Sequence, residues 1–314
     1  MPIPQLKKVS VGPVISASPS QEKAKKVFNT EEMMARLGIK SVAEEDPTLK
    51  IMAYGKSGTG KTTFASTFPK PILFLQCDKK GVISIRRRKD TYFKQVDTWE
   101  DFEEAFNLLK DDDGNFYKTV VLDTVTSWQE VVMASVYTGD GMITQQTWGK
   151  CSSKMKTWLT NLIDLPLNVV ILAQDRMAKT EASDDMEMIM PEVGAYTMPS
   201  VSKILNAAVS VIGQTYIKAS WIKPQGQIAK RTLKTEYCLR IGPHTQYITK
   251  VRRDILSEDG SEKPAPEYLV NPTYEKLMEV ILGEDDKFLE EIKMRKKNEE
   301  EIQEKMTLSR DMEE

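Results

Sequence analysis

The stretch Ile51-Met-Ala-Tyr-Gly-Lys-Ser-Gly-Thr-Gly-Lys-Thr-Thr63 decides how the rest of the chain is read. A short apolar run, Ile51 to Tyr54, leads into Gly55-x-x-x-x-Gly60-Lys61-Thr62, the P-loop spacing. Glycines at 55, 58 and 60 let the backbone turn where a side chain would forbid it, so that successive N–H groups face inward on an anion. Lys61 is placed to reach β- and γ-phosphates, and the Thr62 hydroxyl to hold Mg²⁺. The helix expected from Thr62 to about Phe68, stopped by Pro69, points its positive end at the same place. Gly55, Lys56, Ser57, Gly58, Thr59, Gly60, Lys61, Thr62 and Thr63 are therefore the candidate nucleotide-binding loop.

Working outward, apolar runs alternate with helical patterns. Strands are expected at Leu49–Tyr54, Pro71–Cys77, Thr119–Asp123 and Asn168–Gln174, with helices after Thr98, at Thr126–Tyr137 and at Thr147–Asp164. Continuous apolar runs mark strands buried on both faces, and strand–helix alternation with short connections means parallel βαβ units. The fold class is α/β: a mostly parallel sheet with helices on both faces. Gln214–Ser220, Thr235–Ile241 and Gln246–Arg252 read as an antiparallel edge, Asp175–Thr197 as a mobile loop, and Tyr274–Leu282 as a last helix. Three segments follow: an extension over 1–48, a domain over 49–283 and a charged tail over 284–314.

Composition narrows the chemistry. The chain has 314 residues, 29% charged and 40% hydrophobic, as in a globular protein without a membrane span. Met1 to Lys8 lacks the apolar core of a signal peptide, so a cytoplasmic location is expected. Cys77, Cys151 and Cys238 are too scattered for a disulfide framework or a zinc site, and His244 is the single histidine. Catalysis must rest on carboxylates, lysine, arginine and an oxygen-held metal. The net charge of −2 hides an asymmetry: Lys203–Arg253 has ten Lys/Arg against one acid, Glu236, an excess of +9, whereas Glu284–Glu314 has twelve acids against seven bases. Such blocks suggest a surface for an anionic partner and a solvated acidic tail.

Ligands of open parallel sheets sit at the carboxyl ends of the strands, where Gly55–Thr62, Asp78, Asp123 and Gln174 all fall. Asp123 has two readings, a second magnesium-positioning carboxylate or a cap for the next helix. Asp78 either orients and deprotonates a water or is a turn residue; Gln174 either senses the γ-phosphate or is a plain strand end. Lys250 and Arg252, two apart on an expected strand, project together, and either stabilise a transferring phosphoryl group or cover a solvated face. Tyr216, Trp221, Tyr237 and Tyr247 interleave with the basic block, as single-stranded nucleic acid would need, or belong to a core.

In this order the parts resemble the RecA-like phage ATPases of the single-strand annealing type. The resemblance is carried by the P-loop, Leu75-Gln-Cys-Asp78, Leu122-Asp123-Thr124, Trp148-Gly-Lys150, Val169–Gln174 and Lys250-x-Arg252, over residues 49–253. It implies a RecA-like P-loop NTPase core using ATP and Mg²⁺, with Lys61 and Thr62 on phosphate and metal and Asp123 as second-motif acid. Asp78 would stand where relatives usually carry a glutamate base, one methylene longer. Lys250 and Arg252 would be fingers reaching a neighbouring subunit's nucleotide, hence a homo-oligomeric ring or filament. Single-stranded DNA would meet loops at about 137–149 and 175–197, in phage recombination or replication, with a single-strand-binding protein or replication protein as a further partner and the host cytoplasm as location. Competing readings are an ATPase that loads or remodels a protein partner without touching DNA, and a small-molecule kinase.

Overall fold

The computed structural model describes residues 36–37, 48–78, 81–111, 116–137, 139, 141–178, 191–222, 232–253, 264–283 and 294. The chain divides into two compact units, Met1–Asp46 and Pro47–Glu314, and the sheet lies in the second. The acidic tail over 284–314 apart from residue 294, and the extension over 1–48 apart from residues 36–37 and 48, fall outside the described residues.

Four apolar runs become the central strands β1 (Lys50–Tyr54), β2 (Ile72–Gln76), β4 (Thr119–Asp123) and β5 (Asn168–Ala173), nearly every residue buried. With β3 (Thr91–Gln95) and the start of β8 (Val211–Ile222) they form a six-strand parallel core in the order β3-β2-β4-β5-β1-β8. β9 (Thr232–Arg240) adds antiparallel to β8, β11 (Tyr268–Val270) to β9, and the two-residue β10 (Lys250–Val251) to the start of β8. The α/β class and antiparallel edge are as expected. In that order β5 is inserted between β1, the P-loop strand, and β4, the strand ending in Asp123.

Alternation along the strands builds two core layers. Met52, Tyr54, Leu73, Leu75, Leu122 and Ile171 face one side. There they meet α2 (Trp99–Lys110), α3 (Val125–Val136), α4 (Gln145–Ile163) and α5 (Pro199–Ala208). Ile51, Ala53, Phe74, Val121 and Leu172 face the other, against α1 (Lys61–Ala65) and α6 (Tyr274–Leu282). Helix starts follow hydroxyl caps: the side chains of Thr98, Thr124, Thr144 and Thr273 each accept a first-turn N–H. Among the described residues no helix is long and apolar enough to cross a membrane.

Three expectations need correction. The segment read as a patternless loop over 175–197 carries, at its ends, an antiparallel ribbon of β6 (Asp175–Ala178) and β7 (Glu192–Ala195), whose backbone pairing does not depend on apolar alternation. The strand read over 246–252 contracts to β10. The first helix stops at Ala65 instead of reaching Phe68, because Thr67 and Phe68 turn back with N–H bonds to the carbonyls of Phe64 and Ala65.

Candidate functional site

At the carboxyl end of β1 the chain makes the sharp turn its glycines predict. A Cβ on Gly55 would sit 2.3 Å from the Thr215 carbonyl oxygen, so only glycine lets the loop pass under β8. Gly60, the N-cap of α1, has φ +86°, a left-handed conformation that side chains resist. The loop is also bolted to its neighbour strand: the hydroxyls of Thr59 and Thr215 are 2.7 Å apart, and Thr215 Oγ1 donates to the Tyr54 carbonyl at 3.2 Å.

Lys61 is buried, and its ammonium donates to the carbonyls of Gly55 at 2.7 Å and Lys56 at 2.9 Å, curling over the loop. Burial lowers its pKa, and the charges of Asp123, Asp175 and Asp78 oppose that shift. All three carboxylates therefore act on the charge of the buried Lys61. Asp123 is 3% exposed and accepts the Thr62 hydroxyl on Oδ2 at 2.8 Å. The structure excludes the cap reading: the cap of α3 is Thr124, whose hydroxyl accepts the Ser127 N–H, and the Asp123 carboxylate turns to the P-loop instead. Burial raises the Asp123 pKa to about 6, with Asp78 adding to the rise and the Thr62 bond and Lys61 working against it. A hydroxyl and a buried carboxylate side by side, beside a lysine, form an oxygen donor pair that fits Mg²⁺.

Asp78 sits at the end of β2, one strand from Asp123. Ser127 Oγ donates to its Oδ1 at 2.5 Å, which ties the start of α3 to the acid and fixes the carboxylate's direction. Sequence reading missed Gln76. It pairs with Asp123 across β2 and β4, is fully buried, and its Nε2 donates to the carbonyls of Asp78 and Asp123. One amide therefore holds the backbones of both acids in register. A polar residue interrupting the apolar run Ile72–Leu75 was the available signal. Asp175, also missed, is the residue after Gln174. Gln174 itself lies at the end of β5 with an exposed side chain, and its backbone bonds to Thr126 and Tyr196.

Lys250 and Arg252 are not brought to this cradle. Lys250 pairs with Ile212, and Arg252 N–H donates to Ser210, whose own N–H donates to Lys50. That is the amino end of β1, about 13 Å along the strand from Tyr54. Lys250 Nζ donates to the carbonyls of Asn206, Ala207 and Val209, and Arg252 Nη2 to that of Ala207. Both cations satisfy the last carbonyls of α5, where positive charge complements the helix dipole. A role as fingers would require releasing those bonds. Lys250→Met is accordingly expected to cost about 1–2 kcal/mol in urea unfolding while leaving kcat for ATP within about twofold. A large fall in kcat at unchanged stability would restore the finger reading.

The basic block is similarly dispersed. The Arg240 guanidinium lies over the rings of Tyr216 and Tyr247, 4.7 and 4.5 Å from their centroids, and donates to Gln214 at 2.8 Å. Tyr216 and Tyr247 thus serve packing. Trp221 is 67% exposed and Tyr237 46%.

Residues 48–253 match the family described as AAA domain. No curated protein matches the sequence. Among solved structures, the crystal structure of flagellar accessory protein FlaH from Methanocaldococcus jannaschii is similar at 7% identity and a TM-score of 0.33, over 77% of this chain and 90% of that one.

Proposed function

We propose, from the premise that this chain belongs to the AAA domain family, that it is a Mg²⁺-dependent ATPase working on single-stranded DNA as a homo-oligomer, in recombination or replication of the phage type. The observation that supports ATP hydrolysis is the Lys61–Thr62–Asp123 cluster, with Asp78 held beside it by Ser127. Lys61 leaves the Gly55 and Lys56 carbonyls to contact the β- and γ-phosphates. Thr62 and Asp123 would hold Mg²⁺, which would supply charge neutralisation at those oxygens. Asp78, its Oδ1 engaged by Ser127, presents its second oxygen to orient the attacking water and take its proton.

For the DNA reading, support comes from the ribbon that starts one residue after Gln174. Arg176 lies over the Tyr196 ring at 5.4 Å, and Tyr196 is 44% exposed, an aromatic face with a cation at the sheet's carboxyl edge. A second reading, ATP-driven remodelling of a protein partner, is favoured by exposed aliphatic side chains on the β8–β9 hairpin, Ile217 at 45% and Leu233 at 52%. Hydrolysis measured with and without single-stranded DNA separates them. The DNA reading expects stimulation that falls steeply between low and moderate salt and disappears in Tyr196→Ala. Hydrolysis indifferent to DNA, with no salt-sensitive binding, sinks it in favour of the protein partner.

A further inference from the structure

The β8–β9 hairpin overshoots the sheet. Its last register contact with the P-loop strand is Gln214 opposite Tyr54, after which β8 runs on to Ile222 paired only with β9. The hairpin therefore stands beyond the carboxyl end of β1, next to the P-loop. Alternation fixes which side chains face the loop. Thr215 lies against Gly55 and Thr59, and Tyr237, paired with Ile217, lies against Gly60: a Cβ on Gly60 would be 3.2 Å from Tyr237 Cδ1. The backbone carrying that ring is held on both sides, by Ile217 across the ladder and by the Asn271 N–H, which donates to the Tyr237 carbonyl at 2.7 Å. Yet 46% of the residue is open to solvent.

Sheet order gives a bound triphosphate a direction. Asp123 on β4 and Asp78 after β2 lie on one side of β1, and the hairpin lies on the other. The γ-phosphate belongs with Lys61, Thr62 and the two acids, so the nucleoside end leaves toward the hairpin. Resting on the nucleotide-binding reading above, we propose that Tyr237 is the platform on which the base of the nucleoside triphosphate stacks. An aromatic ring offers its face to any base and grips the larger purines best, so the site selects a purine by stacking area. The same placement gives this tyrosine to the nucleotide, not to single-stranded DNA.

The test is calorimetric binding of ATP, and separately of inorganic triphosphate, both with Mg²⁺, to the full chain and to its Tyr237→Ala and Tyr237→Phe variants. Triphosphate carries every contact of the P-loop and none of the base. Tyr237→Ala is expected to weaken ATP on the order of 10-fold while triphosphate affinity moves less than about twofold, with Tyr237→Phe retaining the wild-type ATP affinity. Unchanged ATP affinity in Tyr237→Ala overturns the proposal, as does parallel weakening of both ligands, which would mean that the ring only shapes the loop around Gly60. If the unaltered chain binds neither ligand, the nucleotide-site reading falls first and the platform with it.

Discussion

Lys61→Ala is expected to lower kcat for ATP hydrolysis by at least about 10³-fold, with thermal unfolding showing the sheet intact. Loss of a single well-placed donor to a transition-state oxyanion costs about 10²–10³ in other enzymes. Here the consequence is larger because of what surrounds the lysine. Asp123, Asp175 and Asp78 all act on its charge, and removing the ammonium leaves an anionic substrate facing three acids. Lys61→Arg is expected to rescue little, since the Nζ pocket is two carbonyls at 2.7 and 2.9 Å, sized for a compact point charge and not a planar fork. Phosphate release by the variants, measured beside their melting curves, checks both points. A Lys61→Ala protein that hydrolyses ATP within tenfold of the wild type would remove the P-loop from the chemistry.

The central strands were legible because burial on both faces leaves an unmistakable signature: β1, β2, β4 and β5 are apolar almost throughout. The ends of those strands were legible for the same reason, since a polar residue closing such a run has nowhere to sit but the ligand edge. β3, with Tyr92 and Phe93 exposed at the sheet's rim, has neither a continuous nor an alternating pattern, and β10 and β11 are too short to carry a period. What sequence could not supply was register. Gln76 matters because it lies opposite Asp123, and Tyr237 because the hairpin brings it over Gly60; neither fact is local. The partners of Lys250 and Arg252 within the chain were not legible either. Two cations on one strand face do project together, but the nearest partners were the carbonyls of α5, whose end no spacing rule places there.

Asp123→Asn tests the metal pair and separates function from stability. The isosteric amide keeps an oxygen for the Thr62 hydroxyl but removes the charge, so Mg²⁺-dependent hydrolysis is expected to fall by about 10²–10⁴-fold. Stability should move the other way. Burial raises the carboxyl from 3.8 to about 6, which means the folded, ligand-free chain binds this proton more tightly than the unfolded chain does. The stabilising contribution is complete below pH 4 and is lost as pH rises through about 6, so at pH 7 the ionised, desolvated Asp123 costs stability. The neutral variant escapes that cost and is expected to be about 1–3 kcal/mol more stable than the wild type at pH 7, the gain shrinking toward pH 4. On the proposed metal role of Asp123, wild-type hydrolysis should correspondingly decline below about pH 6, and raising the Mg²⁺ concentration should shift that acid limb to lower pH. Melting curves of both proteins at pH 4.5 and 7 decide the matter: parallel curves would mean that Asp123 does not carry the raised proton affinity, and a variant destabilised at pH 7 would mean that its charge is structural, compensated by Lys61, and not held in reserve for a cation.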